Sequence, residues 1–504
     1  MTALLAGVDV GTQSVKAGLY APSGECRAEH AVSLRLDHPP DGGVEQDPEA
    51  FVSATAAALA ACIEESAWDP GAIEAVAIAG QMAGVLGIGT EGTAVTPYDS
   101  WLDARCSREV AEIDERIGDE VVARTGCPPM VAHAPKILWW KRCRPAAFAR
   151  VEKWVMPGSY VAGRLCGLAA PAGFVDWTYL HFTGLSEAAE AAWSPYLLEE
   201  LDLDVRQLPR IVAPTEIVGA LTREAAEACR LRPGTPVAAG LGDTAAGALG
   251  AGIVAPGQVL DTAGTAAVLG ISTASYRPDV ERTLVSMRGA VPGQWIALSY
   301  LAGGNLLRWL PQALGGRAAG DAASLDELLD EARAAASPRR AGRPLFVPHL
   351  GGRILPSAAG MRGAWLELDF NLARGDLARA VLESVAYEYA GYLERALVLH
   401  PEPAPREVRV IGGGEGDALW NRIKAAVLGL PYARLARESF GPWGAALVAG
   451  AACGLIPDLA SAALAGTAVA ERFEPDPELE ALYAERLAAY RETLALLAHE
   501  VVHA

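Results

Sequence analysis

The sequence predicts an α/β protein built from two related domains that face each other across a central cleft. Three observations point there. The chain has 504 residues, too many for one ordinary core, so two large domains are the simplest arrangement. Strand-like and helical stretches alternate from end to end. A weak internal repeat is also present. Asp9-Val10-Gly11-Thr12 and Asp261-Thr262-Ala263-Gly264-Thr265 both read as strand, acid, Gly-Thr turn and apolar strand. A turn at Pro256-Gly257 precedes the second copy and sets the expected domains at 1–252 and 253–504.

The elements follow in order. Residues 4–10 and 15–20 read as strands around a Gly-Thr turn, and 29–36 as a third. Residues 48–66 have helical spacing, with Asp47 as N-cap and Pro48 in the first turn. A strand is expected at 73–79, and helices at 107–125 and 136–150. Residues 237–239 form a strand that runs into a small-residue helix at 244–250. In the second half a strand at 258–261 precedes helices at 320–336 and 376–400. A strand at 407–411 then enters Gly412-Gly413-Gly414, and helices at 417–428, 442–454 and 477–499 close the chain.

Hydrophobic residues make up 51 % and charged residues 20 %, a balance that supports packed cores rather than disorder. The formal net charge of −19 repels a phosphate backbone, so no nucleic-acid partner is expected. Eight cysteines are scattered without a C-x-x-C pair, which points to reduced thiols in the cytoplasm rather than disulfides or zinc. The N-terminus lacks the basic start of a signal peptide, and no apolar run reaches the roughly 20 residues of a membrane span. A homodimer is the one assembly carried as an expectation.

Three constellations carry chemistry. In the first, Gly11 lets backbone approach phosphate oxygens, and Thr12 and Ser14 offer hydroxyl donors. Lys16 adds a positive charge, and Asp9 can hold Mg²⁺ through water. A β-hairpin with a polar turn is the plain alternative. In the second, Asp243 stands where a strand meets a helix, placed to accept a proton during phosphoryl transfer. A helix N-cap is the commoner use of Asp there. The third is Gly412-Gly413-Gly414-Glu415-Gly416-Asp417, where consecutive glycines suit close approach of a flat ligand or a phosphate.

The second stretch also supports a rival. Gly240-x-Gly242-x-x-Ala245 between strand and helix, with Asp261 on the next strand, has the form of a dinucleotide fingerprint and would suit a nicotinamide oxidoreductase. Against it, the intervening helix is short and Asp261 runs directly into Gly264-Thr265. Gly87 to Gly92 reads as a hairpin turn. No Walker-type G-x-x-x-x-G-K-[ST] is present.

Taken together, these segments resemble the FGGY carbohydrate kinases, xylulose kinases and their relatives above all. The matching stretches are Asp9 to Lys16, Gly80-Gln81-Met82, Trp101-Leu102-Asp103-Ala104-Arg105, Ala134 to Trp139, Trp193-Ser194-Pro195 and Gly240 to Gly250. They continue through Asp261 to Thr265, Arg362 to Trp365, Asp376 to Glu383, the triple glycine and Gly441 to Gly450. The resemblance implies two ribonuclease H-like domains of the actin and hexokinase type, ATP and Mg²⁺, and a small sugar or polyol acceptor. It implies Asp243 as general base and Asp9 as the metal-associated acid. Gly11, Thr12, Ser14 and Lys16 would form a first phosphate loop, and Gly264 and Thr265 a second. Gly413, Gly414 and Glu415 would lie by the adenosine. Gln81, Met82, Asp103 and Arg105 would line the sugar side.

The chain departs from that pattern at several points. Ala83 stands where xylulose kinases usually have histidine, Leu102 replaces an asparagine, and His133 a threonine or serine. Glu367 replaces a glycine, and Glu415-Gly416-Asp417 replaces an Ala-Lys-Ser type stretch. The loss of an imidazole at Ala83 weighs against D-xylulose as the acceptor. His181 is expected to be a satisfied structural histidine, and a catalytically silent sugar sensor is the remaining alternative.

Overall fold

The computed structural model describes residues 3–66, 68–264, 266–301, 303–315, 317–335 and 344–503. Its first sheet contains β1 (Leu4–Val10), β2 (Ser14–Tyr20), β3 (Cys26–Ser33), β4 (Ile73–Gly80), β5 (Ile217–Ala220) and β6 (Pro236–Gly242). Their order is β5-β6-β4-β1-β2-β3. β1, β2 and β3 form an antiparallel meander, while β4 and β6 run parallel to β1.

The second sheet contains β7 (Val259–Ala263), β8 (Ala267–Thr273), β9 (Val285–Arg288), β10 (Trp295–Leu301), β11 (Val408–Ile411), β12 (Tyr432–Leu435) and β13 (Val469–Phe473). Its order is β9-β10-β8-β7-β11-β12-β13. The same five-strand pattern recurs. β7, β8 and β10 are antiparallel neighbours, and β11 and β12 run parallel to β7. The repeat read from two short segments is a repeat of whole sheets, with Asp9 on β1 and Asp261 on its counterpart β7.

This topology removes the physical basis of the nicotinamide alternative. β6 and β7 belong to different sheets, so Gly240 to Asp261 is not a βαβ unit. Asp261 is fully buried and not available to a ribose. Its carboxylate accepts from Lys424 Nζ at 2.5 Å and from the Tyr389 hydroxyl at 2.8 Å.

Helices α1 (Pro48–Ser66) and α2 (Pro157–Cys166) share the core of the first sheet. The helices α3 (Asp243–Gly250), α4 (Arg374–Leu399), α5 (Ala418–Leu428), α6 (Phe440–Ala452) and α7 (Pro477–His503) follow in the chain. α3 and α6 pack on each other and share one apolar cluster with strands of both sheets. Their approach explains the run of small residues. A Cβ on Gly444 would stand 2.0 Å from the Ala246 carbonyl, and one on Gly7 1.8 Å from that of Pro442. α6 therefore comes from the C-terminal half yet lies against β1. α7 docks on α4, where Tyr483 and Tyr490 donate to Glu383 at 3.0 Å and Glu388 at 2.6 Å.

The expected elements form with shifted ends. The third strand runs from Cys26 to Ser33, and the expected 136–150 helix is two, His133–Cys143 and Pro145–Phe148. Pro145 imposes that break, because the residue before a proline is steered away from helical backbone. No helix among the described residues is long and apolar enough to cross a membrane.

Candidate active site

Parallel pairing brings Asp9 and Asp243 to the same end of the first sheet. Asp9 is level with Ala79 of β4, and Gly242 is level with the next residue, Gly80. Asp243 is the first residue of α3, and Gly242 occupies the capping position, so Asp243 is not an N-cap. Its Oδ1 accepts from the Thr244 N–H at 2.6 Å. Burial, with the Asp9 charge adding to it, pushes the Asp243 carboxyl up to about 7. Burial raises Asp9 to about 6, against the pull of Lys16 across the β1–β2 pair. Asp9 Oδ1 is buried and has no hydrogen-bond partner.

The turn after β1 is held from several sides. Gly11 N–H donates to the Ser14 carbonyl at 3.1 Å. The Thr12 hydroxyl donates to Gln81 Oε1 at 3.2 Å and accepts from Trp101 Nε1 at 2.9 Å. Lys16 is exposed on β2. In the second sheet, the Gly414 N–H donates to the Ala263 carbonyl at 2.9 Å, which joins the triple glycine to the Gly264 turn. Gly412 has φ +95°, and its missing side chain leaves room for Ala263. Gly413 is exposed with open space where a Cβ would stand. Glu415 Oε2 is buried without a partner, and burial lifts that carboxyl to about 7. Thr265, expected in the second phosphate loop, lies outside the described residues.

A cavity of about 230 Å³ opens between the two sheets. From the first half it is lined by Met82, Ala83, Trp101, His181, Asp243 and Thr244, among others. Val268, Met287, Leu298, Tyr300 and Leu301 form most of the opposite wall. Of the four residues expected on the sugar side, only Met82 lines this cavity. Gln81 is buried behind it and bonded to Thr12, Gln46 and the Gly11 carbonyl. Asp103 accepts from the Val44 N–H at 2.8 Å and from Arg105. Arg105 sits among Asp41, Glu45, Asp99 and Asp103, with its guanidinium 4.3 Å from the Trp139 ring centre. These polar residues match a sugar-binding pattern by type, but their side chains are engaged with protein. Together they brace the turn that carries Trp101.

Lys136 belongs to the same support. It is buried, and its Nζ donates to the Ser100 and Asp103 carbonyls at 2.9 and 2.7 Å. His181 departs from its expected structural role. It is buried, it lines the cavity, and neither ring nitrogen has a hydrogen-bond partner. The apolar wall from β8, β9 and β10 was not readable in the sequence, since alternation along a strand does not say which face meets another domain.

One oxygen at this site is of the kind a magnesium ion takes as a ligand. Asp9 presents an orphaned buried oxygen, and the nearby Asp243 raises the benefit of a local positive charge.

Residues 4–250 match the N-terminal domain of the FGGY family of carbohydrate kinases, and residues 260–453 match its C-terminal domain. The chain belongs to the FGGY family of carbohydrate kinases, and is thus a phosphotransferase of the two-domain, actin and hexokinase-like fold. It is 30 % identical to a xylulose kinase of Escherichia coli over 427 residues, 84 % of each chain. It is 27 % identical to an autoinducer-2 kinase of Klebsiella pneumoniae over 98 % of this chain and 94 % of that one. Among solved structures, a xyloylose kinase from Brucella ovis superposes with a TM-score of 0.88 at 27 % identity. That match covers 98 % of this chain and 99 % of the other.

Proposed function

We propose that this chain transfers the γ-phosphoryl group of ATP to a terminal hydroxyl of a pentulose- or pentitol-sized acceptor, with Asp243 as general base. The observation that carries this reading is the position of Asp243, a carboxylate with a near-neutral pKa in a cavity between two sheets, beside Asp9. Residues 1–252 and 253–504 act as the two domains. The turn at Gly11, Thr12 and Ser14, with Lys16 behind it, contacts phosphate from one side, and Gly264 with Thr265 from the other. Gly413, Gly414 and Glu415 border the adenosine. Met82 contacts the acceptor, while Gln81, Asp103 and Arg105 position the elements around it.

The acceptor hydroxyl loses its proton to the Asp243 carboxylate as its oxygen attacks the γ-phosphorus. The bond to the β,γ-bridging oxygen breaks, and ADP leaves with the electron pair. Asp9 would hold Mg²⁺ together with the nucleotide, and the ion would supply neutralisation of the phosphate charge. The cavity walls keep water from the γ-phosphate, which favours the bound alcohol as nucleophile. Ala83, which lines the cavity without a polar group, argues that D-xylulose is not the best acceptor.

A coupled ADP-release screen with Mg-ATP across pentuloses, pentitols, tetritols and hexuloses tests this. Acceptor-dependent ADP release is expected. No release with any acceptor, together with a sugar-induced rise in melting temperature, would instead support a silent sugar sensor.

A further inference from the structure

The cavity next to Asp243 is poor in available polar side chains. Among the described lining residues, Trp101 Nε1 is taken by Thr12, and Thr244 Oγ1 lies 3.2 Å from Asp243 Oδ1. The Tyr300 hydroxyl is turned to the Met130 sulfur at 3.3 Å, and Asn305 is exposed. Among the buried lining residues His181 is the exception. Its ring packs on that of Phe182 with centres 4.1 Å apart. The Thr178 carbonyl lies nearby and favours a ring N–H, but neither nitrogen reaches hydrogen-bond geometry. Burial holds this imidazole neutral, with a pKa pushed down to about 3. A neutral imidazole can donate from one nitrogen and accept at the other. The rest of the inner wall is Phe182, Val268, Met287, Leu298 and Leu301.

We propose that the preferred acceptor carries its reactive hydroxyl at one end and a deoxygenated, methyl-terminated end at the other, with His181 hydrogen-bonding one carbonyl or hydroxyl oxygen between them. The inference rests on the kinase reading above and specifies its substrate. A hydroxyl buried against Val268, Met287 and Leu298 finds no partner there, at a cost of roughly tenfold or more in affinity. A methyl in the same place gains roughly fourfold for each carbon removed from water. The one unpaired imidazole among the described cavity-lining residues matches a single oxygen at that depth, since a buried polar group left unpaired is itself unfavourable. Its role is recognition, while Asp243 alone takes the proton.

The test is steady-state ADP release with D-xylulose and D-ribulose, each beside its 1-deoxy analogue. The expected result is a kcat/KM roughly tenfold or more higher for the deoxy member of at least one pair. On that acceptor, His181→Ala should raise KM roughly ten- to a hundredfold while kcat and the KM for ATP change little. His181→Asn, which keeps a donor and an acceptor, should recover most of the loss. Preference for the fully hydroxylated partner in both pairs overturns the inference alone. So does an unchanged KM in a His181→Ala protein that melts normally. If that variant melts early, His181→Asn and the parent's ranking of the pairs decide. ADP release with no member of either pair overturns this inference, whereas the kinase reading falls only if the wider acceptor screen above also gives no release.

Discussion

The Gly242 N–H donates to the Thr178 hydroxyl at 2.8 Å, immediately before Asp243. That hydroxyl in turn donates to Asp176 Oδ1 at 2.5 Å, and Asp176 also accepts the Thr178 N–H. The start of α3 is thus pinned by side chains 64 residues away in sequence. Thr178→Val keeps the shape and leaves the buried Gly242 N–H without a partner. It should cost about 1–3 kcal/mol of stability and lower kcat roughly ten- to a hundredfold by loosening the base. The KM for ATP should hold, and Thr178→Ser should restore kcat. Equal rates for the Val and Ser variants would show that Thr178 does not position Asp243.

The raised pKa values set a pH dependence. Asp243 must be ionised to accept a proton, so kcat/KM should rise with pH and level off above about 7. Asp9, at about 6, adds a second protonation at the acid end. A flat profile between pH 5 and 8 at saturating Mg²⁺ would remove Asp243 as base.

Asp243→Asn separates catalysis from stability. Turnover should fall roughly 10²–10⁴-fold. A carboxyl whose folded pKa lies above its unfolded value stabilises the fold below the unfolded pKa, and that contribution is lost as pH rises through about 7. The Asn variant should therefore be more stable than the parent at pH 8, by up to about 4 kcal/mol. The difference should shrink as pH falls towards 4. Denaturant melts at several pH values read this directly, and a variant less stable at pH 8 would contradict it.

Much of this site was legible in the sequence, and the remainder failed for identifiable reasons. Asp9 and Asp243 stood out only in combination with the glycine, hydroxyl and lysine residues around them, since an Asp at a strand-to-helix junction is more often a cap. The two-sheet duplication showed through the Asp9 and Asp261 segments because the turns at those strand ends are short and specific. Residue type alone could not assign Gln81, Asp103 and Arg105 to ligand or to protein, since a carboxylate or guanidinium looks alike in either setting. Trp101 was visible only within a family motif. His181 was judged by the usual fate of buried histidines, and partner geometry alone could show it unpaired. Thr178 gave no local signal, because its partner Gly242 is distant in the chain.

Lys424 and Asp261 form an ion pair with both side chains fully buried. Lys424 Nζ also lies 4.4 Å from the Trp420 ring centre. Lys424→Met removes the cation and leaves Asp261 with the Tyr389 hydroxyl as its remaining side-chain partner. A loss of about 3–5 kcal/mol is expected, and adding Asp261→Asn should recover a large part of it. If the double variant is no more stable than Lys424→Met, an uncompensated buried charge is not the cause.

Glu367 occupies left-handed backbone at φ +60°. Side chains other than glycine lose roughly 1–2 kcal/mol there. Glu367→Gly should therefore gain about 1 kcal/mol, less the entropy of a freer unfolded chain. Thermal melts at matched pH check the sign, and a clear loss of stability would show that the Glu367 side chain holds more than the structure indicates.

Gly441 ties the C-terminal half of the chain to the acid of the N-terminal half. It lies in the first turn of α6, and a Cβ there would stand 2.4 Å from Asp9 Oδ2. Alanine at this position must push the carboxylate aside or move the helix. If Asp9 holds the metal, Gly441→Ala should raise the Mg²⁺ concentration for half-maximal rate, roughly tenfold, and saturating Mg²⁺ should recover part of the turnover. Gly444→Ala is the control for packing, because its Cβ would meet the Ala246 carbonyl at 2.0 Å and its three nearest atoms all belong to the Ala246 backbone. That variant should lose stability without a selective change in Mg²⁺ dependence. Measuring rate against Mg²⁺, beside a thermal melt, on both variants distinguishes the two effects. A Gly441→Ala enzyme with the parent's Mg²⁺ dependence would mean that Asp9 does not hold the ion.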